Sequence, residues 1–78
     1  MSGKPIPTDS WLNRLDVWRV VRGRKIWIGE SGETLYSWDS LHGEVEAFTK
    51  LGDHIGVLDA LTGELIGGPV RGRRINVR

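Results

Sequence analysis

The chain has no cysteine, which excludes disulfide staples and any thiolate metal centre. It also lacks an apolar run long enough to span a bilayer. Its first residues, Met1-Ser2-Gly3-Lys4-Pro5, carry no apolar stretch of the signal-peptide kind, so no membrane segment is expected here. Net charge is scarce too. Eleven Lys and Arg against ten Asp and Glu leave +1, which by itself does not suggest nucleic-acid binding. Helix-length segments between the strand-like runs are missing, and with them the βαβ units of a parallel sheet. There is no internal repeat and no low-complexity tract.

What is present fits one small domain. At 78 residues the chain is near the lower limit at which a core holds a fold without staples. Four tryptophans must supply much of the buried area. The charge, though balanced, is separated along the chain. Arg19, Arg22, Arg24 and Lys25 lie near the start, acidic residues gather in the middle, and Arg71, Arg73, Arg74 and Arg78 cluster at the end. This predicts a basic surface beside an acidic site.

Residues 1–8 read as an extended tail or linker remnant, because Gly3, Pro5 and Pro7 disfavour regular structure. The domain proper is expected over residues 9–78. Asp9 or Ser10 can cap a short N-terminal helix whose apolar face carries Trp11, Leu12 and Leu15. Short β-like runs follow at Val17–Val21, Lys25–Gly29, Thr34–Trp38, His42–Thr49, His54–Asp59, Glu64–Ile66 and Arg74–Val77. Glycine-containing turns separate them. The expected fold is mainly β: a small, highly twisted antiparallel sheet of about five to six strands with a short N-terminal helix.

The chemistry concentrates between Asp39 and Glu46, where three carboxylates and an imidazole fall within eight residues. If a strand begins at His42, then His42, Glu44, Glu46 and Phe48 share one face and Gly43, Val45 and Ala47 the other. On such a strand His42 and Glu46 stand about 13 Å apart at roughly 3.3 Å per residue, a span that lets them flank a bound phosphate. Asp39, just before the strand, can orient His42. Cleaving RNA without a metal needs a base for the 2′-hydroxyl, an acid for the departing 5′-oxygen and positive charge on the phosphoryl oxygens. Spacing alone also fits a solvated strand face. As a zinc site, Asp39, His42 and Glu46 lack a second histidine or a cysteine. His54, after Gly52-Asp53, reads as a turn or strand-start residue. In the basic end Arg73 and Arg74 point to opposite faces if extended; the arginine fork suits phosphate, and a solvated terminus is the other reading. The tryptophans suit core or partner contact more than base stacking, although Tyr36 and Trp38 share a strand face on which a base could stack.

Taken in order, Tyr36-x-Trp38-Asp39-Ser40-x-His42-Gly43-Glu44-x-Glu46, His54-x-Gly56, Asp59-x-x-Thr62-Gly63, Gly68-Pro69 and the arginine-rich end closely resemble the C-terminal cytotoxic ribonuclease domain of the ribosome-inactivating E-type colicins and cloacin. The resemblance covers residues 24–76. It implies an endoribonuclease toxin that cuts small-subunit (16S) ribosomal RNA once, in the decoding site, and blocks translation without a cofactor or metal. By position it assigns Asp39, His42, Glu46 and Arg73 to catalysis, with Tyr36 and Glu44 in supporting places. The implied division makes Glu46 the base and His42 the acid, with Asp39 orienting His42 and Arg73 holding the phosphoryl oxygens; the two proton roles are interchangeable at this level. Arg71 and Arg74 are expected to add RNA contacts. Phe48 stands where the family usually has tyrosine, and Gly67 where it has lysine, which implies weaker RNA binding. A cognate immunity protein with acidic surface, a monomeric free state and action in the cytoplasm of a target bacterium are further implications. A ribosome- or protein-binding module of the same fold, without catalysis, is the alternative.

Overall fold

The structure, a computed structural model, describes residues 3–78. Met1 and Ser2, the start of the expected tail, lie outside the described residues. Six strands form one sheet: β1 (Asp16–Val21), β2 (Arg24–Ile28), β3 (Thr34–Asp39), β4 (Glu44–Thr49), β5 (His54–Leu58) and β6 (Leu65–Gly67). Each pairs antiparallel with its neighbour in chain order. Short alternating runs joined by tight turns close such a meander without crossovers. Bulges interrupt the register of β1–β2, β4–β5 and β5–β6, and each adds local twist.

Both faces of the sheet carry core, as expected of strands whose alternate positions are both apolar. On one face Val21, Ile26, Leu35 and Phe48 pack with Ile75 from the C-terminal segment. On the other, Trp27 and Val45 pack under Leu12, with Trp11, Leu15, Tyr36, Trp38 and Leu58 around them. The expected N-terminal helix is a single 3₁₀ turn, Trp11–Arg14, capped by Ser10. It stops at Leu15, whose backbone turns extended. The indole N–H of Trp11 donates to the Asp59 carbonyl at 2.7 Å, fastening the turn across the sheet.

The segment before it has no regular structure, yet it is tied down. Lys4 N–H donates to the Ser40 carbonyl at 2.8 Å, the Trp38 indole donates to the Lys4 carbonyl at 2.8 Å, and Ile6 packs beside Leu12 and Trp27. At the other end, Arg74–Val77 does not form the strand its composition suggests. Only Asp53 and Arg74 make a bridge, flanked by the bonds His54 N–H to the Arg73 carbonyl and Ile75 N–H to the Gly52 carbonyl, and Ile75 turns into the core. The Ile75 carbonyl oxygen passes 2.4 Å from where a Cβ on Gly52 would sit, an approach that only glycine permits.

Candidate active site

The β3–β4 hairpin sets the geometry. Its last pair is Asp39 with Glu44, so His42 sits in the four-residue turn between them rather than on the strand. This takes His42 off the face expected for His42, Glu44, Glu46 and Phe48, while Glu44, Glu46 and Phe48 keep it opposite Asp39, Ser37 and Leu35. The alternation that suggested it runs into the turn, where Gly43 takes a left-handed φ of 70° and donates its N–H to the Asp39 carbonyl at 2.8 Å. Asp39 closes the strand and organises the turn. One carboxylate oxygen accepts the N–H groups of Leu41 and His42 at 3.0 and 3.2 Å. The other lies 2.7 Å from His42 Nδ1. Partial burial works against ionisation of Asp39. The hydrogen bonds from the His42 ring and from the His42 and Leu41 backbone, with the charge of the imidazole, outweigh it and hold the carboxyl below its ordinary range.

Glu46 lies two pairs further along β4, opposite Ser37 of β3 and Val57 of β5, with its side chain 12% exposed. A carboxylate so covered requires partners. The guanidinium of Arg73 pairs with it, and Nε2 of His54 lies 3.4 Å from the same oxygen. His54 is fully covered by its surroundings and lies edge-on to Phe48, ring centres 5.3 Å apart. Its Nδ1 accepts the Val70 N–H at 2.9 Å. A neutral imidazole that accepts at one nitrogen donates at the other, so its Nε2 proton faces Glu46. At 3.4 Å that contact is too long for a good hydrogen bond, and it orients the carboxylate by charge and dipole. The His54 N–H meanwhile donates to the Arg73 carbonyl at 3.1 Å. One buried residue therefore pins the loop that carries Arg73 and faces the carboxylate that Arg73 pairs with.

Asp39, His42, Glu46 and Arg73 line one cavity of about 310 Å³ together with Arg24 and Trp38. Glu44 adjoins it: ligand atoms of Asp39, His42 and Glu44 lie within 4.8 Å of one another, the one such grouping of three among the described residues. Tyr36 is placed elsewhere. It pairs with Ala47 on the opposite face from Glu46 and stands edge-on to Trp11 at 5.1 Å. Arg74 turns away, pairing with Asp53 and donating to the Leu51 carbonyl at 2.8 Å. Arg71 is exposed in the turn before Arg73. Sequence reasoning did not single out His54 or Arg24 for the site, and gave Trp38 only as a face on which a base could stack. The reach of His54 depends on the bulge that pairs Phe48 with His54 after Ala47 with Gly56, which no residue pattern announces. Among the described residues no helix is long and apolar enough to cross a membrane.

Comparison with known proteins identifies the family. The chain is 43% identical to colicin E3 of Escherichia coli over 53 residues, 67% of this chain and 10% of that protein. Over the same length it is 40% identical to cloacin and to colicin-E6, both of Escherichia coli. It spans about a tenth of the length of these relatives. The model of the Cytotoxic family matches residues 19–76, a stretch that holds every residue of the cavity and all six strands apart from Asp16, Val17 and Trp18 of β1. The chain thus belongs to the Cytotoxic family, the C-terminal cytotoxic domain of the E-type colicins.

Proposed function

We propose that this chain is the ribonuclease domain of a bacterial toxin, cleaving small-subunit (16S) ribosomal RNA at the decoding site by acid/base transesterification. The observation that carries the reading is the shared cavity of Asp39, His42, Glu46 and Arg73, in which side chains fill all three roles that RNA scission needs. Glu46 takes the 2′-hydroxyl proton as the 2′-oxygen attacks phosphorus. The bond from phosphorus to the 5′-oxygen breaks, and His42 gives its proton to that oxygen. The products are a 2′,3′-cyclic phosphate and a free 5′-hydroxyl. Arg73 exchanges Glu46 for the phosphoryl oxygens, where its fork meets developing charge. Asp39, bonded at 2.7 Å to Nδ1, fixes the orientation of the ring whose other nitrogen faces the leaving 5′-oxygen.

The roles in this reaction need no metal, and the target is the one that the resemblance to the ribosome-inactivating colicins supplies. A cognate inhibitor offering acidic surface to the arginine-rich end, and action in the cytoplasm of a target cell, complete the reading. The test is inhibition of translation in vitro. The domain is expected to inhibit with a chelator present, and His42→Ala to abolish inhibition while keeping the wild-type melting curve. A folded His42→Ala variant with full potency contradicts the acid role, and loss of potency on chelation contradicts metal independence.

A further inference from the structure

A second cavity, of about 420 Å³, adjoins the first at the same end of the sheet. It is lined by Ile6, Arg22, Gly23, Arg24, Lys25, Trp27 and Trp38, and Arg24 and Trp38 line both cavities. Its size falls in the range of small-ligand sites, roughly 300–1,000 Å³. The two differ in charge. The catalytic cavity mixes carboxylates with arginine, whereas the second, among the described residues, is lined by three cations and two indoles and by no acid.

Its groups are held in place. The Trp38 indole N–H is fixed on the Lys4 carbonyl at 2.8 Å, and Lys25 Nζ stands 5.6 Å from the centre of the buried Trp27 ring. Arg22 carries a further mark. It and Gly23 form the two-residue turn between the paired Val21 and Arg24, with φ of 52° and 81°. Such a turn demands positive φ at both positions and is made most readily by Asn-Gly. A long cationic side chain there adopts a backbone conformation rare outside glycine and asparagine, at a position that lines this cavity and its neighbour beside Arg74 and Asn76.

We propose that this cavity is a subsite for the unpaired nucleotide next to the scissile phosphate, with its base against the Trp38 indole and its phosphate held by Arg22, Arg24 and Lys25. Cations that track a backbone beside an aromatic platform are what single-stranded nucleic acid requires. Trp38 and Asp39 are consecutive on β3 and face opposite sides of the sheet. RNA seated on His42 and Glu46 therefore turns over the sheet end past Arg24 into the second cavity, and only an unpaired strand makes that turn. The proposal rests on the ribonuclease reading and deepens it by explaining selection of unpaired over helical RNA.

The test uses ¹⁵N-labelled full chain titrated with adenosine 5′-monophosphate, and in parallel with inorganic phosphate, while the four indole N–H resonances are followed. The expected result is saturable movement of the Trp38 and Trp27 resonances with the nucleotide and not with phosphate, and none at Trp11. The double variant Arg22→Gln, Lys25→Gln, altered only at exposed positions, is expected to weaken nucleotide binding roughly tenfold, the scale of two exposed charge contacts. It should also raise KM for ribosomes without lowering kcat. Nucleotide shifts no larger than those of phosphate, or unchanged affinity in the double variant, overturn the subsite. Ribosome scission without indole shifts overturns the subsite alone. Indole shifts without scission overturn the ribonuclease reading and leave a nucleotide site.

Discussion

Replacing Asp39 with asparagine separates what this residue does for the fold from what it does for the reaction. Asparagine keeps an oxygen for the Leu41 and His42 N–H groups, now accepted at 3.0 and 3.2 Å, so the turn survives. What changes is the 2.7 Å contact to His42 Nδ1. An amide N–H₂ in that place makes Nδ1 an acceptor and puts the ring proton on Nε2, and the imidazolium, which donates from both nitrogens, loses its acceptor. The stability loss should be about 1 kcal/mol, one exposed hydrogen bond. The loss in rate should be that of a general acid, about 10²- to 10⁴-fold, or roughly 3–5 kcal/mol of barrier. The assay is single-turnover appearance of a new ribosomal-RNA 3′ end across neutral pH, run beside thermal melting. Stability carries a second signature. The folded Asp39 carboxyl titrates below its ordinary 3.8. Its ionisation therefore stabilises the native state above that value, and the contribution is lost as pH falls below it. The melting gap between wild type and variant should accordingly close in acid. Cleavage at the wild-type rate by a folded Asp39→Asn protein refutes the coupling of Asp39 to His42.

Other changes probe the neighbouring parts. His54→Ala removes the anchor of the Val70–Arg73 loop and the group facing Glu46; it should lower kcat about 10²-fold through misplacement and cost about 1–3 kcal/mol by leaving the Val70 N–H unpaired, read by kinetics and denaturant titration. Gly43→Ala forces a left-handed φ of 70° on a residue with a side chain and sets its Cβ 2.8 Å from Lys4 Cδ. A loss of about 1–2 kcal/mol is expected, together with a fall in activity because the same turn carries His42. Arg74→Ala breaks an ion pair whose side chains are 58% and 51% exposed, so a shift within about 1 kcal/mol and an unchanged kcat are expected. A collapse of kcat in that variant would place Arg74 in the reaction after all.

Much of this architecture is legible in the sequence because its signals are local. Gly32 and Gly63 each stand between strand-like runs, and each occupies a left-handed turn position. The spacing Asp39-x-x-His42 is the reach at which an aspartate after a strand caps a turn and meets the ring three residues on. The misreadings have physical causes. His42, Glu44 and Glu46 alternate as strand residues do, and alternation does not report where Gly43 turns the chain. Arg74–Val77 has strand composition, but pairing stops after one bridge, where Ile75 turns into the core. Tyr36 shares the motif with Asp39, yet parity sends its ring to the opposite face, onto Trp11. His54 is the plainest gap: its bearing on Glu46 and Arg73 arises from a bulge and from a loop closing over 16 residues.

The central claim is that the Asp39–Glu46 cluster and Arg73 form a ribonuclease site directed at the ribosome. Incubating the domain with intact ribosomes and mapping every new RNA 3′ end tests it most directly. One cut in the small-subunit decoding region, ending in a cyclic phosphate and absent with Glu46→Gln, is the predicted result. Intact RNA in the presence of a folded, ribosome-bound domain contradicts the claim and leaves a binding module in its place.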